Sequence, residues 1–209
     1  MIRVVLADDH PVVRTGYRRL LEQAGGVRVV AEAGDGDAAY AAFVEHVPDV
    51  LVTDLTMGGG GGLALIRRVL ARAPAARILV FSMHDSAALV RRALDSGVRG
   101  FLTKASPPDC LLLAIGALHA GERYLGPGLA PPQGSDAATP LARLSAREFE
   151  IFRLLAQGQS VADCAQALNL SPKTVANHQT LIKEKLGVAT SAALAHLAIW
   201  HGVIASHTA

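Results

Sequence analysis

Five residues with the chemistry needed for phosphoryl transfer stand at the ends of short apolar, β-branched runs. They are Asp8, Asp9, Asp54, Ser82 and Lys104. Three carboxylates in one place repel each other unless a cation binds them, and an all-oxygen set of donors suits Mg²⁺ or Mn²⁺. A lysine and a hydroxyl beside that cation can bind phosphoryl oxygens, and a carboxylate can accept the phosphoryl group covalently. These residue types predict metal-assisted phosphorylation of an aspartate, although each carboxylate alone could be an ordinary polar strand end.

The apolar runs themselves predict the strands of a parallel sheet. They are continuous and not alternating, which is typical of strands covered on both faces, and helical periodicity lies between them. Strands that alternate with helices predict an α/β, doubly wound, five-stranded sheet, whose ligands bind beyond the carboxyl ends of the strands. In the strand order 2-1-3-4-5 the strands that carry the five polar residues are neighbours. The runs are Arg3–Ala7, Val27–Ala31, Val50–Thr53, Ile78–Phe81 and Gly100–Thr103.

Length and composition exclude several classes of protein. The chain has 209 residues, of which 51% are hydrophobic and 18% charged, so a wholly disordered chain is excluded. Two cysteines, Cys110 and Cys164, exclude a disulfide scaffold and a four-cysteine zinc site. Asp8 and Asp9 interrupt the first apolar run, so no export signal is expected. The uncharged stretch after Leu186 contains too many histidines, glycines and hydroxyls for a membrane span, and we expect a cytoplasmic protein.

The second part of the chain has a different pattern. Gly126–Pro140 is rich in proline and glycine and predicts a linker. Beyond it no strand pattern occurs. Ser145 and Glu148 form a capping box at the start of one helix, and Ser171-Pro172 begins another that stops at Gly187. We therefore expect a first domain over residues 1–121, a linker over 122–143, and an all-α, four-helix domain over 144–209.

Five segments resemble a known family. VVLADDHPVVRTG, VTDLTM, LVFSMHD and GVRGFLTK are similar to the receiver domain of two-component response regulators. LSAREFEIFRLLAQGQSVADCAQALNLSPKTVANHQTLIKEKLGV resembles the LuxR-type helix-turn-helix. The combination is identified as the NarL/FixJ class of bacterial transcriptional regulators. This resemblance implies a flavodoxin-like receiver joined to a DNA-binding domain, and a regulator and not an enzyme.

The resemblance also implies roles for the strand-end residues. Asp54 would accept a phosphoryl group from a sensor histidine kinase, and Ser82 and Lys104 would bind its oxygens. Phe101, which could also be a simple core residue, would be an aromatic switch that moves when Ser82 is drawn towards the phosphate. The implied ligands of Mg²⁺ are Asp8, Asp9, Asp54 and the backbone carbonyl of Thr56.

Gly58–Gly62 departs from the family pattern, which usually has a proline at position 58. Five consecutive glycines raise backbone freedom, so we expect a mobile loop beside Asp54. They form no nucleotide cradle, because no Gly-Lys-Ser/Thr follows, and we expect no other cofactor.

By resemblance, Ser171–Leu186 is the recognition helix that enters the major groove of promoter DNA. Three of the five cations after residue 143 lie on it, against a net charge of only +2 for the chain. So few cations predict weak, salt-sensitive binding by one domain, which a homodimer on paired half-sites would strengthen. The last helix of the chain could provide the dimer contact or pack on its own domain. On the recognition helix, Leu181 is expected to be a core residue. The candidate DNA contacts are Lys173, Thr174, Asn177, His178, Thr180 and Lys183.

Three alternative functions remain open on the sequence. A regulator of the same fold could act without phosphorylation, or the receiver could act through protein contacts instead of DNA. A dinucleotide-binding oxidoreductase is the third, because Gly34-Asp-Gly36-Asp-Ala-Ala39 matches G-x-G-x-x-A. Against it, Asp35 and Asp37 would repel a pyrophosphate, and this segment follows the second strand and not the first.

Overall fold

The computed structural model describes residues 1–57, 61–129, 140–201 and 203–204. They fall into two compact units. The first comprises Met1–Met83 and Ala93–Pro131, and the second comprises His84–Arg92 and Pro132–Ala209.

A parallel sheet forms the centre of the first unit. Its strands are Ile2–Ala7 (β1), Val27–Ala33 (β2), Val50–Thr53 (β3), Ile78–Ser82 (β4), Gly100–Thr103 (β5) and Tyr124–Leu125 (β6). The order is β2-β1-β3-β4-β5-β6, and every neighbouring pair is parallel. The expected order of the first five strands is confirmed. The expectation of five strands was wrong, because Tyr124 and Leu125 pair with Gly100 and Phe101; a two-residue strand is too short to show a hydrophobic period.

Helices alternate with the strands as the periodicity predicts. They are Pro11–Gln23 (α1), Gly36–His46 (α2), Gly61–Arg72 (α3), Ala87–Asp95 (α4) and Asp109–His119 (α5). Buried residues of α1 and α5, including Leu21 and Leu111, form one core with Val4 and Leu6 of β1. Side chains alternate along a strand, so the buried Val5 faces the other side of the sheet. This double coverage explains why the strands are apolar throughout.

The second unit contains the predicted helices of the C-terminal part. A 3-10 helix covers Pro140–Arg143, followed by Ala146–Ala156 (α6), Val161–Ala167 (α7), Pro172–Leu186 (α8) and Ser191–Trp200 (α9). The capping box of Ser145 and Glu148 is present, and Ser171 caps α8. Gly187 ends α8 in the left-handed conformation, with φ 68°. Arg92 also belongs to this unit: its guanidinium donates to the Leu144 carbonyl at 2.6 Å.

Two sequence expectations concern segments that are only partly covered. Gly61 and Gly62 lie in the first turn of α3, whereas the expected mobility of Gly58–Gly60 lies outside the described residues. Among the helices that the structure describes, none is long and apolar enough to cross a lipid bilayer.

Candidate functional site

The carboxyl ends of four neighbouring strands bring the predicted polar residues to one edge of the sheet. Asp8 and Asp9 follow β1, Asp54 follows β3, Ser82 ends β4, and Lys104 follows β5. Asp8, Asp54 and Ser82 are buried, and Asp9 is exposed. A buried carboxylate needs a charge partner or hydrogen bonds.

Lys104 is the cation that compensates the buried carboxylates. Its Nζ lies 2.6 Å from Asp8 Oδ2 and 2.6 Å from Asp54 Oδ2, and its side chain is only 4% exposed. Burial alone would lower the pKa of Lys104, but the attraction of Asp54 and Asp8 outweighs it and raises this pKa above its usual value. The backbone N–H of Lys104 also donates to the Ser82 carbonyl at 2.8 Å. Lys104 therefore carries a positive charge directly beside Asp54.

The backbone around Asp54 is closely packed and orients its carboxylate. The Thr56 N–H donates to Asp54 Oδ1 at 3.0 Å, and the Asp54 N–H donates to the Ala7 carbonyl at 2.9 Å. A Cβ added at Gly62 would lie 2.2 Å from the Asp54 carbonyl oxygen, so only glycine fits there. Asp54 therefore accepts a backbone hydrogen bond on one carboxylate oxygen and the bond from Lys104 on the other.

Asp9 forms the exposed side of the cluster together with His10. His10 Nδ1 lies 2.8 Å from Asp9 Oδ1 and 3.3 Å from Asp8 Oδ1. Burial is the largest cause that raises the pKa of Asp9; the Asp54 and Asp8 carboxylates raise it further, and His10 opposes them. Partial burial, reinforced by the two neighbouring carboxylates, therefore disfavours the ionised form of Asp9.

The donors of this cluster fit a hard divalent cation. One ligand atom from each of Asp8, Asp9, His10 and Asp54 lies within 4.8 Å of all the others. Carboxylate oxygens are the donors that Mg²⁺ prefers. The aspartates are therefore chemically suited to Mg²⁺, as the sequence predicts, whereas His10 was not predicted.

Arg14 supports the cluster from α1 and was also missed. Its guanidinium donates to the Asp8 carbonyl, and its Nε lies 3.3 Å from Glu32 Oε2 on β2. Arg18 holds the other oxygen of Glu32 at 2.7 Å. Nothing in a single sequence links an arginine on α1 to a glutamate eighteen residues later, since only the folded sheet brings them together.

The two proposed switch residues are both inside the protein. Ser82 and Phe101 are fully buried. Phe101 lies in β5 opposite Val80 of β4, two residues before Ser82. A role as a core aromatic and a role as a switch are both compatible with this position.

The predicted contacts on α8 differ in how available they are. Lys173, Asn177 and Thr180 are exposed, whereas Thr174, His178 and Lys183 are half-buried. The Thr174 hydroxyl is 2.8 Å from that of Ser171, and the Thr180 hydroxyl donates to the Ala176 carbonyl at 3.2 Å. Lys173 and Asn177 are therefore the most available members of the set.

Two hydrophobic residues of the second unit lie outside its core. Leu181 was expected to be buried but is 45% exposed; it stands on the side of α8 away from the buried Val175, Ile182 and Leu186. On α9, Leu194 and Ala198 are buried, which places this side of the helix against its own unit. Trp200 is 78% exposed. The sequence did not indicate this exposure, because apolar residues occur on all sides of α9.

The segment that resembled a dinucleotide site has a simple structural role. Asp35 is the N-cap of α2, and its side chain accepts the Ala38 N–H at 2.8 Å. The carboxylate therefore occupies the helix N-terminus that a pyrophosphate would need. The oxidoreductase alternative is wrong.

Two family models together match most of the chain. Residues 4–116 match the response regulator receiver domain, and residues 142–198 match the bacterial regulatory proteins of the luxR family. The transcriptional activator protein ExaE of Pseudomonas putida is 40% identical over 96% of the chain and 97% of the relative. The response regulator UvrY of Escherichia coli (strain K12) is 34% identical over 100% of the chain and 98% of the relative.

Solved structures agree with the sequence matches. RcsB from Salmonella typhimurium, studied for conformational dynamism in DNA interaction, has a TM-score of 0.72 and 33% identity over 93% of this chain and 95% of that one. RcsB from Salmonella enterica serovar Typhimurium, bound to promoter rprA in the presence of phosphomimetic BeF3-, has a TM-score of 0.70 and 34% identity. That match covers 94% of this chain and 98% of the other.

Proposed function

Because the chain belongs to the response regulators that join a receiver domain to a LuxR-family regulatory domain, we propose that phosphorylation of Asp54 by a sensor histidine kinase controls its binding to promoter DNA. Members of this family are DNA-binding transcription regulators and not enzymes. The observation that carries the proposal is the position of Lys104 Nζ, 2.6 Å from both Asp54 and Asp8. The proposed effect of phosphate is a change of state in the same protein and not turnover of a substrate.

The phosphoryl transfer is a displacement at phosphorus. A carboxylate oxygen of Asp54 forms the new P–O bond while the P–N bond to the kinase histidine breaks, and the imidazole leaves with the electron pair. Lys104 neutralises the phosphoryl oxygens as charge shifts, and Ser82 supplies a hydroxyl. Asp8, Asp9, Asp54 and the Thr56 carbonyl would hold Mg²⁺, which supplies further charge neutralisation when bound.

The new phosphate changes the balance of interactions around Lys104. Lys104 is shared between Asp8 and Asp54 before transfer, and afterwards a group with more charge competes for it. We propose that Ser82 also turns towards the phosphate, and that Phe101 takes the space it leaves. This is the two-state element on which the phosphate acts.

DNA binding is proposed for the exposed side of α8. Lys173, Thr174 and Lys183 would contact phosphates, while Asn177, His178 and Thr180 would be the candidates for contacts with base edges. The third lysine of this helix, Lys185, lies 2.7 Å from both oxygens of Glu148 on α6, so it is held by the domain. Two remaining lysines support weak binding by a monomer and a requirement for a homodimer on half-sites.

The first experiment measures the mass of the intact protein after incubation with a small phosphoramidate donor and Mg²⁺. The wild type is expected to gain one phosphoryl group, and Asp54→Ala none. Asp109→Ala, a change at an exposed carboxylate on α5, is the matched control and should behave as the wild type. If the wild type gains no phosphoryl group, control by phosphorylation fails in its usual form. If Asp54→Ala gains one equally, the assignment of Asp54 is wrong.

The second experiment measures the DNA binding of both forms. Phosphorylated and unphosphorylated protein are titrated against promoter fragments at several salt concentrations. A change in affinity on phosphorylation, absent in Asp54→Ala, is the expected result. Equal affinities of the two forms would refute control by phosphate, and no salt-dependent binding to any fragment would refute DNA as the partner.

A further inference from the structure

A cavity of about 610 Å³ lies at the amino ends of β1 and β2, at the opposite edge of the sheet from Asp54. Cavities that hold small molecules typically measure about 300–1,000 Å³. Basic side chains predominate in the lining, and three of them are arginines. The lining includes Arg3, Arg18, Glu22, Arg28, Val30 and His46.

Two of these arginines stand side by side and repel each other. Arg3 and Arg28 are register partners on the parallel strands β1 and β2, and neighbouring strands lie about 4.8 Å apart. The residues that follow them, Val4 and Val29, belong to the core formed with α1 and α5. Since side chains alternate along a strand, both arginines project from the other face. Like charges directly opposite one another destabilise a sheet, so the packing of the sheet does not account for this pair.

Neither guanidinium has a carboxylate partner among the described residues of the chain. Arg3 Nη1 donates to the uncharged backbone carbonyl of Val47 at 3.2 Å. The Asp49 carboxylate accepts from the backbone N–H of Arg3, at 2.7 Å, and not from its side chain. Arg28 is exposed and forms no hydrogen bond or ion pair within the described part of the chain. The donors of Arg28 are therefore available to a ligand in the cavity.

Two distortions of the backbone adjoin the same cavity. The register of β1 and β2 shifts between Val4 and Val5, which leaves Val30 as an extra residue in the edge strand β2. Val47, whose carbonyl accepts from Arg3, has φ 43° and ψ 66° at the C-cap of α2. This left-handed conformation is rare for a β-branched residue. Bulges and strained residues are concentrated beside binding sites, so both distortions favour a ligand at this position.

We propose that this cavity binds the phosphate groups of a phosphorylated small molecule between Arg3 and Arg28. A guanidinium matches phosphate oxygens with paired N–H donors. A phosphate group carries close to about two negative charges at neutral pH, which balances both arginines, whereas a carboxylate carries only one. His46 adds a hydrogen-bond donor to the lining, while Arg18 is already paired with Glu22 at 3.4 Å. The ligand binds without a covalent step and away from the phosphorylation site.

The test measures binding of pyrophosphate to the full chain by isothermal titration calorimetry in EDTA, which removes metal ions from the aspartate cluster. The variants are Arg28→Gln and the control Arg19→Gln, at an exposed arginine of α1. Hydrogen bonds between charged groups are the strong ones. Arg28→Gln is therefore expected to weaken binding at least about tenfold, or about 1.4 kcal/mol, and Arg19→Gln to bind as the wild type.

The contrary outcomes overturn different parts of the proposal. If the wild type binds no pyrophosphate, the cavity is not an anion site. Equal affinities of Arg28→Gln and the wild type would overturn the role of Arg28. Equal weakening in Arg19→Gln would show only a general attraction to positive charge. If succinate binds as tightly as pyrophosphate, phosphate is the wrong class of ligand.

Urea unfolding checks the repulsion itself. Because Arg28→Gln removes one of two like charges, this variant should be at least as stable as the wild type without ligand. Pyrophosphate should then stabilise the wild type more than the variant. A variant less stable than the wild type would contradict the repulsion.

A further measurement locates the anion in the wild type. Pyrophosphate could also contact the lysines of α8, so the backbone amide NMR signals of the labelled protein are followed during the titration. The largest shifts are expected at Arg28, Val30 and Val47. If the largest shifts occur at Lys173 instead, the anion binds on α8 and the proposal is refuted.

Discussion

The buried lysine at the phosphorylation site offers the sharpest test of the electrostatics. In Lys104→Met the side chain keeps a similar length but loses its charge. Each contact of 2.6 Å between Nζ and a carboxylate oxygen represents about 6 kcal/mol of gross attraction at an effective dielectric constant of about 20. Desolvation of the three charged groups cancels much of this attraction. Breaking a buried pair by removing one partner typically costs about 3–5 kcal/mol, and we expect this loss of unfolding free energy without metal.

Mg²⁺ should compensate for the lost lysine. A cation bound to Asp8, Asp9 and Asp54 neutralises the same carboxylates, and ligand binding stabilises a folded protein in proportion to its affinity. We therefore expect Mg²⁺ to raise the stability of Lys104→Met more than that of the wild type. Lys173→Met, which changes an exposed lysine of α8, should be as stable as the wild type with or without Mg²⁺.

The assay is urea unfolding followed by circular dichroism, in EDTA and in saturating Mg²⁺. Adding Asp54→Asn to Lys104→Met should recover part of the lost stability, because one uncompensated charge is removed. The reasoning is refuted if Lys104→Met in EDTA loses less than about 1 kcal/mol, well below the cost of an uncompensated buried charge, or if Mg²⁺ stabilises both proteins equally.

Four further outcomes are expected. Since the pKa of Lys104 is raised by Asp54 and Asp8, its stabilising contribution should be fully present from neutral pH up to its usual value of 10.5. It should disappear as the pH rises through the raised value, which alkaline unfolding of the wild type and Lys104→Met would reveal. Gly62→Ala should destabilise the first unit by about 1–3 kcal/mol, a typical cost of overpacking, and slow phosphorylation; unchanged phosphorylation kinetics would contradict the close backbone contact. Burial would raise the pKa of Glu148, but hydrogen bonds from Lys185 and Ser145 lower it below its usual value of 4.5. The stabilising contribution of Glu148 should therefore be present above that pH and lost as the pH falls through the lowered value. Glu148→Gln should give a flatter acid-unfolding profile by circular dichroism. Asn177→Ala should cost about 1–3 kcal/mol of DNA-binding free energy if it reads a base, and a loss that is equal for all sequences would show that it does not.

The parts of the site that the sequence predicted are those that depend on strand position. Asp8, Asp54 and Lys104 each stand directly after a continuous apolar run, and parallel strands bring such positions to one edge whatever the details of the packing. The same reasoning predicted the order of the first five strands. Helix caps were equally predictable, because Ser145 and Ser171 act on residues only three positions away.

The parts that the sequence did not predict depend on contacts between distant elements or on very short segments. The bond from Arg14 to the Asp8 carbonyl requires α1 to lie at a particular angle over the sheet. His10 has no periodic or pairwise signal, and its role becomes visible only when Nδ1 is located beside Asp9. Leu181 was misassigned because an apolar residue in a helix was taken to be in the core, whereas burial depends on the side of the helix on which it stands.

The short strand β6 has a mechanical consequence. The Tyr124 N–H donates to the Arg99 carbonyl at 3.0 Å, and the Gly126 N–H donates to the Phe101 carbonyl at 2.9 Å. The chain that continues beyond Gly126 is thus tethered by two main-chain bonds on either side of Gly100, one at Arg99 and one at Phe101. Because β5 and β6 are parallel, tension along this tether acts on their hydrogen bonds in shear. A displacement of the Phe101 backbone would therefore load its main-chain bond to Gly126 directly.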